Sequence, residues 1–247
     1  MFIDVHCHLD SLQNIERFIE RAKKKRVKLI VANGVNEKSN RLILELAGKF
    51  KEVKAALGVY PIEALKLSDA AFTKELEFIR KRAATIVAIG EVGMDFKESE
   101  EKERQRGQFR AFIRLARDID KPLIVHSRKA EEACIELLEE EKAEKVVMHC
   151  FCGKKRLVER IMANGWSFSI PANCVYSEQF QLIIKLCPLP QLLCETDSPY
   201  LHPEKEFPNE PANVVRSYET IARLKGLKMR EVEKEIEGNY RRLFGKL

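Results

Sequence analysis

The chain has no uncharged apolar run long enough to cross a bilayer, which takes about 20 residues, so a spanning helix is excluded and no membrane partner is expected. Its opening stretch, MFIDVHCHLD, lacks the basic start and unbroken apolar stretch of a secretory signal, because Asp4, His6 and His8 interrupt it. It has one tryptophan, so no aromatic ladder of the kind that stacks successive bases is expected. Its seven cysteines, at 7, 134, 150, 152, 174, 187 and 194, are odd in number. Without a secretory signal they read as reduced thiols, and a cytoplasmic location is expected. The lone pair Cys150-x-Cys152 is poor evidence for a metal site. Low-complexity segments, linkers and sequence repeats are also missing, so residues 1–247 read as one domain.

What is there is the composition of a globular enzyme, 45% hydrophobic and 33% charged. The formal charge of +6 suits a polyanionic ligand, but lysine and glutamate are intermixed along the expected helices, so the charge alone decides little.

The pattern of a short apolar run followed by an amphipathic stretch recurs along the chain. The runs are FIDVH (2–6), KLIVAN (28–33), VKAALGV (53–59), TIVAIGE (85–91), PLIVH (122–126), KVVMHC (145–150), WSFSI (166–170) and LLCETD (192–197). They are nearly continuous in hydrophobicity and rich in β-branched residues, as strands buried on both faces are. Between them lie helical periodicities, for example over 101–119, over 210–225 and over a last stretch, 229–244. Asn209 is expected to cap the 210–225 helix, with Pro211 in its first turn and Gly226 at its end. Eight such units indicate parallel βαβ topology. An open doubly wound sheet would focus function at one switch point, whereas polar residues end five of these runs. That distribution favours a (β/α)₈ TIM barrel, which gathers every C-terminal strand end around one mouth.

Those polar strand ends are His6, Glu91, His126, His149 and Asp197. His6 and His8 form H-x-H, and residues i and i+2 of a strand share a face, so both imidazoles can reach one ion. Glu91 sits in GEVGMD (90–95), where Gly90 and Gly93 permit close backbone approach. A carboxylate there can bridge two ions through its two oxygens. Asp95, a candidate substrate contact, lies farther along the same loop, and Arg128 two residues beyond His126. Each residue alone has an ordinary reading: a core histidine, a helix-capping aspartate, a surface carboxylate on a turn. Together, four of the five histidines and two carboxylates converge on one mouth, and two divalent ions with open coordination are the expected cofactor. Such a pair generates a bridging hydroxide at neutral pH. Mixed histidine and carboxylate ligation suits Zn, Mn, Co or Ni, and Mg less well.

The stretches DVHCHLD (4–10), GEVGMD (90–95), PLIVHSR (122–128), HCFCG (149–153), ETDSPYL (195–201), NEPANV (209–214) and NYRRLF (239–244) together resemble the TatD family of metal-dependent deoxyribonucleases, within the amidohydrolase-like barrels. The resemblance spans nearly the whole chain. It implies that His6, His8, Glu91 and Asp197 bind one metal, and that Glu91, His126 and His149 bind the second, with Glu91 shared. It implies Asp197 as the general base, Arg128 as a phosphate contact, and a DNA substrate cut as a 3′→5′ exonuclease with preference for single strands. No obligate protein partner is implied. The chain departs from the family at Tyr60, where Gly58-Val59-Tyr60-Pro61 stands in place of G-x-H-P, at Cys152 in place of serine, and over 171–177. Tyr60 either packs the barrel rim or touches substrate through its hydroxyl or ring.

The competing reading is a hydrolase of small amides, esters or phosphoesters on the same metal pair. A non-catalytic metal-dependent nucleic-acid binder is the third, and open-coordinated metal pairs weigh against it.

Overall fold

The structure, a computed structural model, describes residues 1–246. The eight apolar runs form strands β1 (Phe2–Cys7), β2 (Val27–Asn33), β3 (Val53–Leu57), β4 (Ile86–Asp95), β5 (Leu123–Arg128), β6 (Val146–His149), β7 (Ser167–Pro171) and β8 (Leu192–Glu195). All seven consecutive pairings are parallel and the strand order follows the chain, β1 to β8, with helices between. This is the expected (β/α)₈ barrel. The strands are buried almost throughout, β1, β6, β7 and β8 at every residue, because side chains fill the interior and helices cover the outside.

The seam between β8 and β1 is closed differently from the other joints. Among the described residues no regular ladder joins these strands. Instead the buried Asp4 carboxylate accepts from the Thr196 amide at 3.0 Å and from the Thr196 hydroxyl at 2.6 Å. Beyond the strands, the Asp197 amide donates to the His6 carbonyl at 2.9 Å and the His8 amide to the Ser198 carbonyl at 2.8 Å. Burying Asp4 is tolerable because both its oxygens are satisfied. The same bonds set the relative height of His6, His8 and Asp197.

Three expected boundaries differ. β4 runs on to Asp95, so Glu91 lies within a strand rather than at its end. Asp197 lies two residues past β8, where a left-handed backbone (φ 55°) turns the chain; aspartate is among the few residues that adopt this conformation readily. Asn209 does not cap a helix. Its side-chain amide donates to the Thr196 and Tyr200 carbonyls at 2.9 and 2.6 Å, which fastens the 196–210 loop. The α-helix begins at Val215 after a short 3₁₀ turn, Pro211–Val214, and ends as expected at left-handed Gly226 (φ 65°).

Candidate active site

A cavity of about 680 Å³ opens at the C-terminal ends of the strands. That is the size of an enzyme substrate pocket, and Tyr60, Glu91, His126, Arg128, His149 and Asp197 all line it.

The residues from β1, β4 and the β8 loop form one tight group. His6 Nε2 lies 3.2 Å from His8 Nε2, and each stands 3.4 Å from Asp197 Oδ1. Glu91 Oε2 is 3.7 and 3.5 Å from the same two nitrogens. Ligand atoms held about 2.0–2.2 Å from a tetrahedral ion stand about 3.3–3.6 Å apart. The spacing therefore fits a shared cation. His8 falls one residue beyond β1, yet its ring still meets that of His6.

The second group uses the other oxygen of Glu91. Glu91 Oε1 is 2.7 Å from His126 Nδ1 and 3.7 Å from His149 Nε2. The first distance is a hydrogen bond, shorter than two ligands of one ion stand apart, so His126 and Glu91 must part by several tenths of an ångström to hold a cation. The His6 and His149 rings stack at 3.7 Å, which sets the two groups side by side.

Outer hydrogen bonds fix which nitrogen each ring offers. His8 Nδ1 meets the Asn33 carbonyl at 3.3 Å, which leaves its Nε2 free. His149 Nδ1 donates to Glu195 Oε2 at 2.9 Å, which again frees Nε2. His126 Nε2 meets Asp95 Oδ2 at 3.1 Å, so its free atom is Nδ1. Fixing the ring and its tautomer in this way is the usual support of a metal-ligating histidine.

The charges also fit a cation. Among the described residues, no lysine or arginine pairs with Glu91, Asp197 or Glu195; their ion-pair partners are imidazoles. Burial opposes ionisation of Glu91, but the His126 hydrogen bond and the neighbouring imidazoles outweigh it and hold the carboxyl far below its usual range. Burial likewise opposes ionisation of Asp197, and hydrogen bonds from His6 and His8 overcome it. Against its own burial, His149 is pushed up to about 10 by the Glu195 charge, and His8 to about 9 by Asp197 and Glu91. His6 moves down, from burial and the His149 charge. A surplus of buried carboxylate thus holds protons that a cation can replace.

Glycine is required at Gly93, where φ is +144° and an added Cβ would lie 2.0 Å from the His126 carbonyl oxygen. This close approach of β4 to β5 brings Glu91 and His126 together.

Asp95, expected at the substrate, is fully buried and does not line the cavity. Its Oδ2 holds His126 and accepts from the Tyr60 hydroxyl at 2.5 Å, while Oδ1 accepts the Lys97 and Glu98 amides. Tyr60 packs edge-on to His126, with ring centroids 4.9 Å apart. Arg128 lines the cavity and pairs with Glu98 at 3.0 Å. The fifth histidine, His202, lies outside the group and accepts from the Glu204 amide.

Sequence reasoning missed Glu195, Asp4 and Tyr200. The first two had a readable signal: Glu195 and Asp197 are two apart in ETD, and Asp4 precedes His6 by two, a spacing that places strand residues on one face. Tyr200 is half exposed at the cavity, 6.3 Å from His8. Tyr176 and Phe207 are also exposed, and Lys205 lies over the Tyr176 ring.

A histidine and carboxylate cluster at the C-terminal mouth of a parallel barrel defines the class, a metal-dependent hydrolase. Comparison with known proteins narrows the class. Residues 3–245 match TatD related DNase, and the chain belongs to that family. It is 36% identical over 260 residues to deoxyribonuclease TATDN3 of Homo sapiens, covering 99% of this chain and 95% of that protein. It is 34% identical over 256 residues to the uncharacterized metal-dependent hydrolase YabD of Bacillus subtilis, covering 99% of each. Among solved structures, the TatD homolog YJJV of Escherichia coli K12 is similar with TM-score 0.91 and 27% identity, over 100% of this chain and 98% of its own.

Proposed function

We propose that the chain is a phosphodiesterase that degrades DNA from 3′ ends, with preference for single strands, and that two divalent ions occupy the mouth. His6, His8, Asp197 and Glu91 would hold one ion, and Glu91, His126 and His149 the other. The observation that carries the reading is Glu91, whose two oxygens face two separate groups of imidazoles. Bound ions supply a nucleophile at neutral pH and neutralise charge on the phosphate.

The residues divide the remaining work. Asp197, which faces the cavity beside His6 and His8, takes the proton of the attacking water. Arg128 binds a phosphate oxygen after turning from Glu98. Asp95 orients His126, a role we assign in place of substrate contact, and Tyr60 acts through Asp95. Tyr200 offers its ring to an unstacked base at the mouth. The matching family is described as a DNase, and TATDN3 carries deoxyribonuclease in its name. We take the chain as one barrel unit acting in the cytoplasm, which its seven free thiols support.

A second reading, hydrolysis of a small phosphoester, amide or ester, has one observation in its favour. Arg128 is the one lysine or arginine among the residues lining the cavity, which Glu63 and Glu131 also line. A digestion panel decides. Single-stranded, double-stranded and dinucleotide substrates are each tested with Zn²⁺, Mn²⁺, Mg²⁺, Co²⁺ and Ni²⁺. The proposal expects single-stranded DNA to shorten from its 3′ end. Turnover of small esters with intact DNA would overturn it.

A further inference from the structure

Two thiols at the mouth have no part in the chemistry above. Five of the seven cysteines are buried, whereas Cys150 and Cys152 both line the cavity. Cys150 follows His149 directly, and its left-handed backbone (φ 44°) turns the chain sharply. Cys152, which is exposed, donates its thiol to the Cys150 carbonyl oxygen, with Sγ 3.4 Å away. Residues two apart keep their Cα atoms within about 7 Å, and a disulfide bridges about 4.4–6.8 Å. A disulfide between them is therefore within the reach of the chain once residues 150–152 adjust.

We propose that Cys150 and Cys152 are a peroxide-oxidisable pair that closes to a disulfide at the rim of the cavity and disables the site through His149.

Cys152 is the attacking group because it is the exposed thiol of the two. Its sulfur attacks a hydroperoxide, the O–O bond breaks, and the product is a sulfenic acid plus water or an alcohol, which keeps the thiol proton. The Cys150 sulfur then attacks the sulfenic sulfur. The S–S bond forms, and the sulfenic hydroxyl leaves as water with the Cys150 proton. The two thiols lose two electrons and the peroxide gains them.

The effect reaches His149 through a short path. The Cys150 amide donates to Glu195 Oε1 at 3.0 Å, and Glu195 Oε2 holds His149 Nδ1 at 2.9 Å. Ring closure rotates the backbone around Cys150 and draws its amide from Glu195. His149 then loses its fixed orientation. Loss of such an orienting contact commonly weakens metal binding about 10–100-fold.

The test treats the Mg²⁺- or Zn²⁺-loaded enzyme with hydrogen peroxide and follows peptide mass, metal content and turnover. The peptide that spans 150–152 is expected to become about 2 Da lighter as the disulfide forms. Bound metal and turnover fall about tenfold, and dithiothreitol restores both. Cys152→Ser is expected to keep its untreated metal content and turnover and to resist peroxide. Cys150→Ser is expected to trap a dimedone-reactive sulfenic acid at Cys152, which keeps the idea testable should the other variant misfold. The proposal is overturned if wild type and Cys152→Ser lose metal at the same rate. It is equally overturned if the peptide gains oxygen without forming a disulfide, or if the disulfide forms with metal content unchanged. The metal and turnover arms rest on the proposed function, the metal arm on its His149 ligand set and the turnover arm on DNA as substrate. Mass and metal content decide the proposal even if DNA is not the substrate.

Discussion

Replacement of Glu195 by glutamine removes one charge and almost no volume. In the wild type, one carboxylate oxygen accepts the Cys150 amide at 3.0 Å and the other accepts His149 Nδ1–H at 2.9 Å. Glutamine keeps one acceptor oxygen, which satisfies the Cys150 amide, and turns its NH₂ toward His149. The ring responds by moving its proton from Nδ1 to Nε2, and Nε2 is the atom that faces Glu91 at 3.7 Å. A protonated Nε2 cannot ligate. The lost bond is charge-assisted and contributes about 1.5–3 kcal/mol. At about 1.4 kcal/mol per decade, metal affinity at the His149 group should fall about 10–100-fold. The assay is metal titration against a competing chelator, with melting temperature as the control for folding. The group of His6, His8 and Asp197 should change far less, so the titration should separate into one weakened and one near-normal step. Two steps of wild-type affinity in Glu195→Gln would refute the argument that Glu195 sets the His149 tautomer.

Other substitutions and conditions test other links. Asp197→Asn is nearly isosteric but cannot take a proton and is a poor ligand, so turnover should fall about 10²–10⁴-fold while circular dichroism stays unchanged; near-normal turnover at saturating metal would remove Asp197 from the chemistry. Tyr60→Phe deletes one hydrogen bond to Asp95, of about 0.5–1.5 kcal/mol, and should weaken metal binding at the His126 group by about 2–12-fold. Tyr60→Ala should do the same and lower turnover of single-stranded DNA and of a small phosphodiester alike; unchanged values for both would leave Tyr60 a packing residue. Without metal, His8 and His149 titrate near 9 and 10, so at neutral pH a cation must displace their protons. Metal affinity should therefore rise with pH through the neutral range and fall in acid, with proton release seen as a buffer-dependent binding enthalpy. Affinity independent of pH between 6 and 9 would count against those imidazoles as ligands.

Much of this arrangement was legible in the chain. The apolar runs marked all eight strands because strands buried on both faces carry few polar residues. His6, Glu91, His126, His149 and Asp197 stood out for that reason, and the cavity gathers them except His6, which is buried beneath. The rest depended on details that periodicity does not carry. LLCETD holds two carboxylates, and only the left-handed turn at Asp197 decides that Asp197 faces the cavity while Glu195 stays behind His149. Asp95 read as a loop residue because a strand was expected to stop at Glu91, whereas Gly93 lets β4 continue against β5. Asn209 had the identity of a helix cap, but the α-helix begins only at Val215, and the Asn209 side chain instead ties the 196–210 loop through two carbonyls. Tyr60 lines the cavity, but its hydroxyl partner lies 35 positions away in sequence and could be found only in the folded chain.

The central claim is that Glu91 joins two metal sites into one centre, and metal content measures it most directly. Wild-type protein and Glu91→Ala are each equilibrated with the same divalent ion, freed of excess and analysed for metal per chain, with melting curves to confirm folding. The account predicts two ions per wild-type chain and fewer than one per folded Glu91→Ala chain, because one substitution removes a ligand from both groups. A folded Glu91→Ala chain that still holds two ions would contradict it.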